Sequence, residues 1–160
     1  MSDLRIAVVG AGLMGADHVI RITERIVGAR VAAIVEPDAA RAASAIEHTP
    51  GAVHFSNIED AIATSEIDAV LIATPGQFHE PVLLPALAAG LPILCEKPLT
   101  PDPISALRVL DAEQKAGKKL IQVGFMRRFD REYMQLREPS AATSLARPMV
   151  KVSIAPLAAA

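Results

Sequence analysis

Apolar-rich stretches that predict strands recur along the chain at 6–9, 31–35, 53–55, 68–74, 93–95 and 120–125. The run 31–35 is continuous rather than alternating, which is the pattern of a strand covered on both faces, as in a parallel sheet. The segments between them place apolar residues at helical spacing, and this predicts helices over 16–26, 39–46, 81–89 and 104–116. A further helix is predicted through Ile62, capped by Ser56 or Asn57, because Asn57 precedes Asp60 at near capping-box spacing. A last helix is expected near 131–137. Gly28, Gly90 and Gly117 stand where helices end, and Pro103 stands where one begins. Strand and helix thus alternate about six times, the order of βαβ units in an α/β domain.

The first strand runs into Gly10, Gly12 and Gly15, and a helix follows. In a strand–turn–helix context this spacing is a dinucleotide-binding fingerprint. Gly10 permits the turn, Gly12 lets a pyrophosphate approach the backbone, and Gly15 lets helix and strand pack closely. Leu13 and Met14 lie at the helix start, whose free N–H groups and dipole would hold the phosphates. The second strand ends in Glu36, 21 residues beyond Gly15, where about 20 is expected for the acid that takes the ribose hydroxyls. The fold expected is therefore a Rossmann-type, doubly wound, mainly parallel sheet. NAD is the expected cofactor, because a carboxylate at position 36 would repel a 2′-phosphate. Arg41 keeps NADP as the less favoured alternative. Asp17 is expected in the first turn of that helix, where an acid suits the dipole.

Composition narrows the function classes. The 160 residues include no Trp, one Tyr and four Phe, so the core must be aliphatic. A formal charge of −2 supplies no basic field for nucleic acid. No run of 18 apolar residues is present, so no membrane span is expected. The N-terminus reads as lacking a secretory signal, and the single cysteine, Cys95, forbids an internal disulfide; both point to the cytoplasm. No metal cluster and no Ser-His-Asp set is visible. After residue 137 the composition changes: 139–146 is rich in Ser, Ala and Thr, and 148–154 alternates as an extended strand with one polar face. The domains expected are 1–137, nucleotide-binding, and 138–160, a linker and strand. That exposed strand predicts pairing with a second copy, hence a homo-oligomer.

The glycine fingerprint is joined by Thr74-Pro75 with His79, by Glu96-Lys97-Pro98-Leu99, and by Gly124-Phe125-Met126-Arg127-Arg128-Phe129-Asp130 with Tyr133. Together these resemble the glucose–fructose oxidoreductase/inositol dehydrogenase/MocA family, with the last stretch most similar to its inositol-oxidising branch. The resemblance implies an N-terminal Rossmann domain and a second, α+β domain that is essentially missing here, along with its general base and most of the sugar pocket. Thr143 and Ala146 stand where the family usually has glycine. The activity implied is oxidation of a secondary alcohol of a sugar or cyclitol, with hydride passing to NAD. The alternative is a nucleotide-binding module without turnover that associates with another chain.

Each candidate residue also has a plainer reading. Lys97 resembles the family's active-site lysine: an ammonium at a strand's carboxyl end can hold a substrate oxygen while negative charge develops on it. Position alone would make it a surface lysine, and the motif reverses that. Glu96 resembles the family's carboxylate near the nicotinamide ribose; without the motif a cap or ion pair reads equally well. Thr74 and Pro75 are expected to line the cofactor cleft, or to form an ordinary turn. His79 matches a family position near the cofactor, although a histidine at a helix start is more often structural. His18 reads as structural, and Cys95 as core. Met126 is a candidate contact of the nicotinamide and Arg127 of the substrate, both just past the sixth strand; for Arg127 a salt-bridged helix start carries equal weight.

Overall fold

A computed structural model describes residues 2–64 and 66–135. Its elements follow the alternation in the sequence: β1 (Leu4–Val9), α1 (Leu13–Arg25), β2 (Ala29–Val35), α2 (Ala39–Glu47), β3 (Val53–Phe55), α3 (Ile58–Ala63), β4 (Ala69–Ile72), α4 (His79–Ala88), β5 (Ile93–Cys95), α5 (Pro103–Ala116) and β6 (Ile121–Val123). The six strands form one sheet in the order β3-β2-β1-β4-β5-β6. Every neighbouring pair is parallel. The order reverses between β1 and β4, so the crevice of a doubly wound fold opens at the carboxyl ends of those two strands.

The apolar runs divide between two cores. Ala7 and Val9, Ala33 and Val35, and Val70 and Ile72 face α3, α4 and α5, where they meet Ile58, Leu83, Leu87 and Val109. Val8, Ile34 and Leu71, one residue out of step on the same strands, face Val19 and Ile22 of α1 and Ala45 of α2. Side chains alternate across a strand, so an unbroken aliphatic run fills both layers at once. This is why the inner stretches 6–9, 31–35 and 69–72 of the central strands show no polar positions.

Several boundaries differ from the sequence expectation. α1 begins at Leu13, three residues before 16, because the chain turns directly out of the glycine loop with Gly12 as its N-cap. Asp17 therefore lies outside the first turn, and its carboxylate instead takes the Arg21 Nε–H at 2.6 Å, one turn along. α4 begins at His79 rather than at 81, after a single 3₁₀ turn at Gly76–Phe78. β4 and β6 are shorter than predicted. The Asn57 cap is present: its side chain accepts the Asp60 N–H at 2.9 Å. Asp60 returns a bond to the Asn57 amide rather than to its backbone. Gly117 closes α5 in the left-handed conformation, at φ 71°.

The described residues 125–135 belong to a second unit. Within it Met126–Arg128 make one 3₁₀ turn, and 131–135 are helical. The expected strand at 148–154 and the segment 138–160 lie outside the described residues.

Candidate functional site

The glycine loop is shaped by contacts that exclude side chains. Gly10 has φ +90°, a conformation that L side chains rarely adopt, and a Cβ there would lie 2.9 Å from the Thr74 methyl. A Cβ on Gly15 would sit 1.8 Å from the Gly10 carbonyl oxygen, so only glycine allows α1 to start this close to β1. At Gly12 the opposite holds: a Cβ would meet nothing within 4 Å. The bare backbone at Gly12 is thus not demanded by any packing within the chain. It leaves open space in front of the start of a 13-residue helix that has no side-chain cap and no acid in its first turn. Among the described residues, the N–H groups of Leu13, Met14 and Gly15 have no acceptor. Leu13 is 90% exposed, so the helix start is not covered. An anionic group that accepts from these amides would complete the N-terminus of α1.

Glu36 is aimed at this loop. Only 4% exposed, it accepts the Ala11 N–H on Oε2 at 2.9 Å, and the Asp38 N–H and Arg41 Nη2 on Oε1 at 3.0 and 2.8 Å. Burial alone would raise its pKa, but the Arg41 guanidinium and the two backbone donors outweigh burial and leave it below the ordinary carboxylate value. A buried negative charge therefore stands beside the glycine turn, fixed on both oxygens. Across the crevice, the Ala73 N–H continues the ladder to the Val9 carbonyl. Thr74 follows, its methyl against the Gly10 turn. Among the described residues the buried Thr74 hydroxyl has no hydrogen-bond partner, a polar atom left over at the cleft. Open amides, a fixed carboxylate and an orphaned hydroxyl fit a dinucleotide diphosphate and its ribose.

The loop after β5 carries the second half of the site. The Glu96 N–H bonds to the Ile72 carbonyl, which keeps residue 96 in the sheet beside β4. The Glu96 side chain meets His18 of α1, Oε1 to Nε2 at 3.0 Å. Lys97 is exposed and, among the described residues, forms no ion pair. The Lys97–Pro98 peptide bond is cis, and Pro98 packs on Gly76, whose Cβ position lies 3.2 Å from the Pro98 ring.

His79, for which the sequence leaves a place near the cofactor and a structural role both open, lies at the start of α4. It is fully buried, with Nδ1 2.9 Å from the Pro98 carbonyl and Nε2 2.8 Å from the Thr74 carbonyl. Both ring nitrogens are spent on backbone, which ties the Thr74 loop to the Lys97 loop. Cys95 is buried beneath it, 3.3 Å from Nδ1. Burial and then the Glu96 charge push its thiol up to about 12. His18, read from sequence as structural, is the residue of α1 that meets the Glu96 carboxylate. The signal was available: buried Gly15, Val19 and Ile22 define the inner face of α1, and His18, three residues past Gly15, shares it. In the second unit, Arg127 pairs with Asp130 at 3.3 Å and lies over the Tyr133 ring, 5.0 Å from its centroid.

Residues 4–125 match the model of the oxidoreductase family with the NAD-binding Rossmann fold. The chain belongs to that family. It is 68% identical over 136 residues to an inositol 2-dehydrogenase of Corynebacterium glutamicum, covering 85% of this chain and 40% of the relative. It is 64% identical over the same length to the inositol 2-dehydrogenase of Leifsonia xyli, again covering 40% of it. Among solved structures, myo-inositol dehydrogenase of Lactobacillus casei, in complex with NAD(H) and myo-inositol, superposes with a TM-score of 0.84. The identity is 34%, with 88% of this chain and 42% of that one covered. The chain thus spans about 40% of the length of the curated relatives it matches.

Proposed function

We propose that this chain is the NAD-binding part of a dehydrogenase acting on a sugar or cyclitol alcohol, with myo-inositol the first substrate to test. The observation that carries the reading is the bare, open helix start at Gly12–Gly15 beside the buried Glu36 carboxylate. In this reading Gly10, Gly12, Leu13, Met14 and Gly15 offer backbone to the diphosphate. Glu36 takes the adenosine ribose, and Thr74 and Pro75 line the crevice. Glu96 is assigned to the nicotinamide ribose; Met126 as a contact of the nicotinamide and Arg127 of the substrate are assigned from the motif they share with the family. The chemistry that NAD supplies when bound is acceptance of a hydride. Lys97 holds the substrate oxygen and offsets the negative charge that grows there as the carbon–hydrogen bond breaks.

The second reading is a module that binds NAD(H) without turnover. Titration with NADH and NADPH, followed by an assay of myo-inositol oxidation, separates the two. Turnover that is lost in Lys97→Ala supports the dehydrogenase, and binding without turnover supports the module. Absence of binding by either cofactor contradicts both. We place the protein in the cytoplasm, in keeping with its single thiol; among the described residues no helix is long and apolar enough to cross a membrane. We also read it as a homo-oligomer, supported by exposed Ile104, Leu107 and Leu110 along α5. Light scattering should find more than one chain per particle, and a monomer at all concentrations would refute it.

A further inference from the structure

We propose that His18 is a positioning residue, which sets the Glu96 carboxylate and through it the grip on the nicotinamide-ribose half of NAD. The inference rests on the cofactor reading above. Glu96 is held at both oxygens by groups of different origin. Oε1 accepts from His18 Nε2 at 3.0 Å, and Oε2 lies 3.3 Å from the Lys97 N–H. A carboxylate only accepts, so the imidazole nitrogen is the donor. Both side chains are largely out of solvent, 22% exposed for His18 and 16% for Glu96. The third side is kept clear by Gly124, whose Cβ position is 3.5 Å from the carboxyl carbon and Oε1. A side chain there would fill the remaining space around the carboxylate.

The pair joins the two halves of the cofactor cleft. His18 sits on α1, the helix whose first turn faces the diphosphate. Glu96 sits next to Lys97 at the end of β5. The two are 78 residues apart in sequence and in contact across the crevice edge. Without the imidazole, the carboxylate keeps the adjacent Lys97 N–H but loses the donor that fixes its direction. Charge-assisted bonds of this kind orient as well as stabilise. The adenosine end, by contrast, is held by Glu36, whose hydrogen bonds run to Ala11, Asp38 and Arg41 and not to His18.

A comparison of NADH with ADP tests this, because ADP carries the adenosine and diphosphate but no nicotinamide ribose. Dissociation constants are measured by calorimetry for the wild type, His18→Leu, His18→Asn and His18→Gln. Loss of one hydrogen bond to a charged group predicts about tenfold weaker NADH binding in His18→Leu and His18→Asn, with ADP affinity unchanged. Glutamine, long enough to donate to the same oxygen, should recover most of the loss. In a Glu96→Gln background, His18→Leu should cost nothing further. A merely structural histidine would weaken NADH and ADP together, or neither, in whichever of the variants folds. Either result overturns the inference while leaving the cofactor reading intact. A wild type that binds neither ligand would instead overturn the cofactor reading, and this inference with it.

Discussion

Glu36 combines two properties that rarely coexist: it is nearly inaccessible, and it is held in its charged form. Arg41 and the N–H groups of Ala11 and Asp38 outweigh the burial that opposes charge. Its folded pKa lies below the ordinary value, so its contribution to stability is fully present above that value and lost as pH falls through the lower, folded one. Glu36→Gln keeps the shape and removes the charge. It should narrow the preference for NADH over NADPH by about tenfold, as expected for relief of one close charge repulsion, read from paired titrations; an unchanged ratio would show that Glu36 does not face the ribose. Cys95 makes the opposite case. With its thiol pushed up to about 12 by burial and the neighbouring Glu96, it should resist a disulfide reagent at neutral pH and react at once on unfolding. Rapid labelling of the folded protein would contradict its placement. Spacing alone located Glu36, because a fingerprint fixes how far the acid lies from the glycines. His79 and His18 were not legible in the same way. Helical spacing puts His18 on the inner face of α1, but the partners, Pro98, Thr74 and Glu96, come from other loops, and those contacts are created only by the folded sheet.

At the scale of elements, two joints hold the central strands in place. β1 and the start of β4 are clasped by Asp68, which accepts the Arg5 N–H, Nε–H and Nη2–H at 2.9, 3.0 and 2.9 Å. The Arg5 bonds bring the Asp68 pKa from 3.8 to about 2. A depressed carboxylate stabilises above its unfolded value and ceases to do so as pH falls toward the folded one. Melting temperatures of wild type and Asp68→Asn should therefore converge between pH 4 and 2, with the variant lower above that window; parallel curves would refute the assignment. The second joint is Gly15 on Gly10, where a methyl would overlap the carbonyl oxygen. Gly15→Ala should cost roughly 3 kcal/mol by forced overpacking, measured by denaturant unfolding. The order and type of the elements were readable from apolar runs and punctuating residues. Their ends were less so: α1 starts three residues early because the glycine loop winds straight into it, and β4 and β6 are shorter than the stretches that predicted them.

For the molecule as a whole, the sheet order places every cofactor candidate of the first unit at the carboxyl edge. Gly10–Gly15 follow β1, Glu36 follows β2, Thr74 and Pro75 follow β4, and Glu96 and Lys97 follow β5. No residue needed to move for these loops to meet; parallel topology with a switch between β1 and β4 brings them to one crevice. That convergence could be anticipated from the fingerprint, whereas the cross-crevice bonds could not. The most direct test compares wild type with Gly12→Val by NADH titration, the cofactor's own fluorescence being read because the chain has no tryptophan. A Cβ at position 12 meets nothing within 4 Å among the described residues, and a side chain there would stand in front of the amides. An unchanged melting temperature with NADH binding abolished is the predicted result. A folded Gly12→Val that binds NADH as the wild type does would show that the diphosphate does not sit there.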